Sequence, residues 1–145
     1  MVPYVDVTDV CVLLLLLVPV SDVFVASVSD DSLQRVSESD GPLRLRELWQ
    51  HGIACVAVLP SAAVSPVLQV FVAGTNWTHL FVKSETIHQL PLANNSVTAP
   101  VNAVFRLVYI TVKPERRFNG NVLECSATTD GFPPVSATAP VIVEC

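Results

Sequence analysis

Two cysteine-centred runs constrain this chain more than any other feature in it. In Asn121-Val122-Leu123-Glu124-Cys125-Ser126-Ala127, the residues Leu123, Cys125 and Ala127 alternate with Val122, Glu124 and Ser126. A period of two places the first three on one face of a strand, small and apolar, with the thiol at its centre. Cys55 lies in a similar run, Ile53-Ala54-Cys55-Val56-Ala57-Val58. Two strands that each turn one cysteine inward suggest two sheets pinned by a Cys55–Cys125 disulfide. The competing reading is a pair of free, buried thiols in a cytosolic protein.

The rest of the composition fits a sheet protein. At 145 residues there is room for one ordinary domain, and 51% apolar against 14% charged residues argues against disorder. Valine is abundant, and β-branched side chains suit a pleated, half-buried surface better than a helix. The 11 prolines and 5 glycines fall between apolar runs as turn punctuation.

Val10 to Val20 is an unbroken apolar block. It is too short for a spanning helix, which needs roughly 20 residues, and fits the apolar core of a secretory signal, which needs about 7–15. Val25-Ala26-Ser27 offers small residues for cleavage, so residues 1–27 read as a signal peptide. Asp6 and Asp9 stand where basic residues are expected, which leaves an uncleaved anchor or a misplaced start as the alternative. Taking Asp6, Asp9 and Asp22 from the 13 acids leaves 10 against 8 basic residues, a balance of about −2 that makes no case for nucleic acid.

After a polar, acidic stretch read as a flexible leader over 28–42, a series of short β-type runs follows. They are Leu43–Leu48 (with a helix over 43–50 as the competitor), the Cys55 run, Pro66–Ala73, a short Leu80–Val82, Val104–Val112, the Cys125 run and Val135–Val143. Gly, Pro and Asn clusters separate them. Six or seven such strands without helical periodicity predict an all-β sandwich.

Cys55, then Pro66 to Gly74, then Val104–Val112, then Asn119-Gly120-Asn121-Val122-Leu123-Glu124-Cys125-Ser126-Ala127 resembles an immunoglobulin-superfamily domain of the C2 kind over residues 43–145. The resemblance implies an immunoglobulin-like two-sheet sandwich with one inter-sheet disulfide, Cys55 on strand B and Cys125 on strand F, 70 positions apart. Two hallmarks are replaced: Val70 stands where the family has its strand C tryptophan, and Leu123 where it has the corner tyrosine. Gly120 followed by Val-Leu-Glu-Cys-Ser-Ala is similar to tandem-domain cell-adhesion proteins. Pro66 to Gly74 together with Arg117-Phe118 and Leu123-Glu124-Cys125 looks like the second domain of the arthropod beaten-path and sidestep-type guidance proteins.

Such a resemblance implies a non-enzymatic recognition domain, secreted or on the extracellular face of the plasma membrane, in adhesion or axon guidance and within a longer parent. Its partners would be extracellular or cell-surface proteins, including other immunoglobulin domains. A soluble secreted molecule of innate immunity is the alternative.

No catalytic set, cofactor motif or metal-ligand spacing stands out: His51, His79 and His88 are far apart, and no phosphate loop or nucleophile elbow is present. A small-molecule substrate is not expected. Asn76-Trp77-Thr78 and Asn94-Asn95-Ser96 both fit the N-glycosylation acceptor pattern. In Asp130-Gly131-Phe132-Pro133-Pro134, two prolines limit the entropy lost on docking, so Phe132, Pro133 and Pro134 are candidate partner contacts; the other reading folds Phe132 back over the sandwich end. The basic residues of Lys113-Pro114-Glu115-Arg116-Arg117 read as a glycosaminoglycan contact or a solvated turn. Cys145, left without a mate, implies an intermolecular bond, a reactive thiol or a truncated sequence.

Overall fold

A computed structural model describes residues 19–30, 32–37, 39–91 and 103–145. Ten strands follow in order: β1 (Asp22–Ser29), β2 (Ser32–Val36), β3 (Leu43–Arg46), β4 (His51–Leu59), β5 (Val67–Val72), β6 (Thr75–Asn76), β7 (Phe81–Ile87), β8 (Val104–Val112), β9 (Val122–Thr128) and β10 (Val135–Glu144). Two single-turn 3₁₀ segments, Thr78–Leu80 and Arg116–Phe118, interrupt them. Among the described residues no helix is long and apolar enough to cross a membrane.

The strands form two five-stranded sheets, β2-β1-β4-β8-β7 and β3-β10-β9-β5-β6. Pairings are antiparallel except for β3, which runs parallel to β10 from Val141↔Leu43 to Glu144↔Arg46. The alternation in Leu43-Arg44-Leu45-Arg46 is kept, with both leucines buried and both arginines in water, so the helical alternative for this stretch does not form. Sheet pairing outweighs the helix propensity of Leu and Arg here, because the leucine face has a core to enter.

Cys55 on β4 and Cys125 on β9 are bonded across the sheets, their Cα atoms 5.8 Å apart. Val25 and Val108 flank Cys55 in register, and Val70 and Ala137 flank Cys125. All belong to one core filled from both inner faces, together with Ile53, Val72, Ile110, Leu123, Ala139 and Val141. Val70 therefore packs where an indole was missing from the sequence pattern. A buried indole is nonetheless present: Trp77 enters the same core and meets Phe118 edge-to-face at 5.1 Å between ring centroids. Edge-to-face contact sets the positive ring edge against a π face and adds to simple burial.

Leu123 takes the corner tyrosine's place, and amide side chains hold that corner instead. Val143 N–H donates to Asn119 Oδ1 (2.9 Å), and Asn121 Nδ2 donates to the Arg117 carbonyl (3.0 Å).

The expected leader is where the structure departs most from the sequence. Residues 22–29, which cover the proposed cleavage site after Ser27, form β1. It pairs with β4 from Asp22↔Val58 to Val28↔Gly52, and Val23, Phe24, Val25 and Ala26 are buried. The segment 28–42 is not a free leader either, since β2 folds back on β1 as a hairpin and Ser37 bridges Gly41. Ordered sheet thus begins at Asp22, not Leu43. The ambiguity is physical: a signal core and a strand buried on both faces are both plain apolar runs.

That two-sided burial also explains the continuous apolar reading of β4. Ile53, Cys55 and Ala57 face the inter-sheet core, whereas Ala54, Val56 and Val58 join a second cluster with Phe24, Leu33, Phe105 and Leu107 on the opposite face.

Candidate recognition surfaces

Three surface features stand out, and two of them carry residues singled out by sequence, Phe132, Pro133 and Pro134 at one pole and Asn76 at an edge. At one pole, the β9–β10 connection turns on Gly131 in the left-handed region (φ 82°), and Phe132 N–H donates to the Thr129 carbonyl at 3.1 Å. A side chain other than hydrogen at that φ would crowd the following carbonyl. The turn holds Phe132 at the rim of an apolar cleft of about 180 Å³, bordered by Pro19, Val20, Ala127, Thr129, Pro133 and Pro134. Phe132 stays 40% exposed. It is thus neither folded flat over the sandwich end nor fully projected. Thr129 Oγ1 is buried beside the cleft without a hydrogen-bond partner among the described residues, a polar atom the sequence reading did not mark.

The second surface is the outer face of β5, β9 and β10. Because Leu68, Val70 and Val72 point inward, Val67, Gln69 and Phe71 point outward. Phe71 pairs with Glu124 on one side and Asn76 on the other. Val67 and Val122 on this face are 62% and 49% exposed. Near the β5–β6 hairpin the face dips into an open trough of about 580 Å³, bordered by Phe71, Ala73, Gly74, Gly120, Asn121 and Val122 among others.

The third feature is the edge at Asn76, the last residue of the short edge strand β6 and exposed. Its Oδ1 accepts from Thr78 N–H (2.8 Å), and Thr78 Oγ1 accepts from Val70 N–H (3.2 Å). Asn94 and the rest of its triplet lie outside the described residues.

The remaining candidates do not converge. Arg116 pairs with Glu47 (3.0 Å) and Arg117 with Glu115 (2.9 Å), so the basic turn largely spends its charge locally. Glu47 beside it holds the Arg116 guanidinium above its ordinary range, with the nearby Cys145 adding to this. His51 Nε2 accepts from Arg46 N–H at 2.8 Å and serves as a turn staple. Among the described residues no three of His, Cys, Asp and Glu stand close enough together to hold a metal ion.

Electrostatic tuning is most evident at β7–β8. Tyr109 OH donates to Glu85 Oε1 at 2.5 Å, and Lys83 lies over the Tyr109 ring (5.2 Å) and 3.3 Å from Glu85. The phenol hydrogen bond lowers the Glu85 carboxyl, with Lys83 assisting, whereas burial and then Glu85 push the Tyr109 phenol well above its usual range.

With two antiparallel sheets, a parallel strand on the β10 edge and a disulfide between central strands, the chain is an immunoglobulin-like sandwich. Solved structures agree. The chain superposes on the structure described as "Rst D1-D2" with a TM-score of 0.56 at 14% identity, covering 87% of this chain and 50% of that one. It also superposes on the mouse nectin-like molecule 4 ectodomain (Ig1–Ig3) with a TM-score of 0.51 at 12% identity, covering 86% of this chain and 34% of that one. This chain thus spans about half and about a third of those two structures, and the likeness is one of fold. No protein-family model and no curated protein sequence matches it.

Proposed function

We propose that this chain is an extracellular recognition domain that binds another protein through the pole built by the β9–β10 turn, in cell adhesion or guidance. The observation that carries the reading is Phe132, held by a glycine turn and two prolines at the lip of an apolar cleft. A pre-set aromatic side chain beside an apolar cleft is how a small contact concentrates binding energy, since little conformational entropy is lost on docking. The inter-sheet disulfide supports an oxidising compartment. Entry to that compartment would use the apolar block before Pro19, with any cleavage placed before β1 so that the strand survives.

Capture from cell-surface protein libraries tests the reading. A partner retained by the native chain should be lost, or weakened at least tenfold, with Phe132→Ala at unchanged melting temperature. Unchanged capture would reject the pole as the binding surface.

A further inference from the structure

We infer that Asn76 carries an N-linked glycan whose first sugar rests on the ring of Phe71, closing the outer face of β5 and β6 and leaving the pole for partners. Phe71 and Asn76 are directly paired across the hairpin. Side chains of directly opposed residues lie on the same face of a sheet, with Cβ atoms about 4.5–5.5 Å apart. Since Phe71 is turned outward, Asn76 rises from the same surface and beside the same trough.

The amide is suitably disposed. Its Oδ1 is held by Thr78 N–H, while Nδ2 has no partner among the described residues and is the atom that takes the sugar. A pyranose has one face of C–H bonds, and such a face matches a flat, half-exposed aromatic ring that water covers poorly. Beyond the ring the trough is open, with the small residues Ala73, Gly74 and Gly120 along its border beside Asn121, Val122 and Glu124.

The inference rests on entry into the secretory route, where the donor is a lipid-linked oligosaccharide diphosphate. In the transfer, the C1–O bond to the diphosphate breaks and a C1–N bond to Asn76 Nδ2 forms. The lipid diphosphate leaves with the bonding electrons, and one amide proton is lost to base. Thr78 Oγ1 accepts from Val70 N–H, which leaves its own O–H free to act within the acceptor triplet. The sugar then also shields β6, an edge strand whose open hydrogen-bonding groups would otherwise invite pairing with another chain.

Expression of the full chain in eukaryotic cells, with peptide mass spectrometry after enzymatic release of N-glycans, provides the test. Release converts a glycosylated Asn76 to Asp. Modification at Asn76, abolished by Thr78→Ala, is the expected result. A chain that never enters the secretory route overturns the reading on which the inference rests; one that enters with Asn76 unmodified overturns the inference alone. The role of Phe71 is read separately: deglycosylation should lower the melting temperature of the native chain by several degrees and that of Phe71→Thr by much less. Equal shifts in the two would refute the sugar–ring contact.

Discussion

Cutting the chain after Ser27, where small residues first suggested processing, would remove most of β1. Val23, Phe24 and Val25 are 3%, 1% and 1% exposed. Full burial of a Val or Phe side chain contributes about 1.5–3 kcal/mol, so these three together are worth about 5–9 kcal/mol. Residual compactness of the unfolded chain trims that by about a quarter. The cut also strips the pairing from Asp22↔Val58 to Ser27↔Ile53 and leaves β2 only the Val28↔Leu33 and Ser29↔Ser32 pairs next to its turn. Total stability of a domain is only about 5–15 kcal/mol, so the loss is comparable with the whole. Chains beginning at Met1, Pro19 and Val28 should therefore behave differently when refolded under oxidising conditions and followed in urea by the fluorescence of buried Trp77. The first two should show one cooperative transition, and the third none. A Val28 chain that unfolds with the midpoint and slope of the others would refute the reasoning and return β1 to the leader. Sequencing the N-terminus of secreted protein should place it at or before Asp22.

Three further outcomes are expected. Replacing the bridge with Cys55→Ala/Cys125→Ala should cost about 4 kcal/mol in the chain-entropy model for a separation of 70 residues, and should raise the urea slope because the unfolded chain expands; a loss under about 1 kcal/mol would contradict it. Ala73 sits at φ 52° in the two-residue β5–β6 turn, followed by Gly74 at φ 77°. Because such turns favour Asp-Gly, Ala73→Asp should stabilise by about 0.5–1 kcal/mol in thermal unfolding, and a lower melting temperature would show that the turn strain is not relieved. Tyr109→Phe removes the hydrogen bond that lowers the Glu85 carboxyl, so the NMR titration of Glu85 should move up towards its ordinary value. The sign follows: a carboxyl depressed by folding adds stability above its unfolded value and loses it as pH falls through the folded one, so the native chain should lose slightly more stability on acidification than Tyr109→Phe. Identical acid profiles and an unmoved titration would remove the phenol as the cause.

How much of this was legible in advance differs from element to element. Val104–Val112 was bounded to the residue because its apolar run is flanked by turn signals. Leu80–Val82 was too short a reading: β7 extends to Ile87 through Val82, Lys83 and Glu85, exposed or half-exposed side chains that a bulge near Phe81 and Lys83 throws off a clean alternation. Trp77 carries no local sign of its burial, since nothing in the pattern around it says that the turn after β6 points it at Phe118. Phe132 was marked by its prolines, whereas Pro19 and Val20 across the cleft come from a distant part of the chain and meet it only in the fold.

The sequence by itself determined the sheet class and the two cysteine strands, because a period of two and an inward thiol are local properties of the backbone, whereas the bridge it suggested needed the two sheets to bring Cys55 and Cys125 together. Only the tertiary structure decided that Asp22–Val36 belongs to the domain, that the middle of one sheet is buried on both faces, and that Phe71 and Asn76 share a surface. Burial and register depend on what a segment packs against, and an apolar run reads the same whether its destination is a membrane or a core.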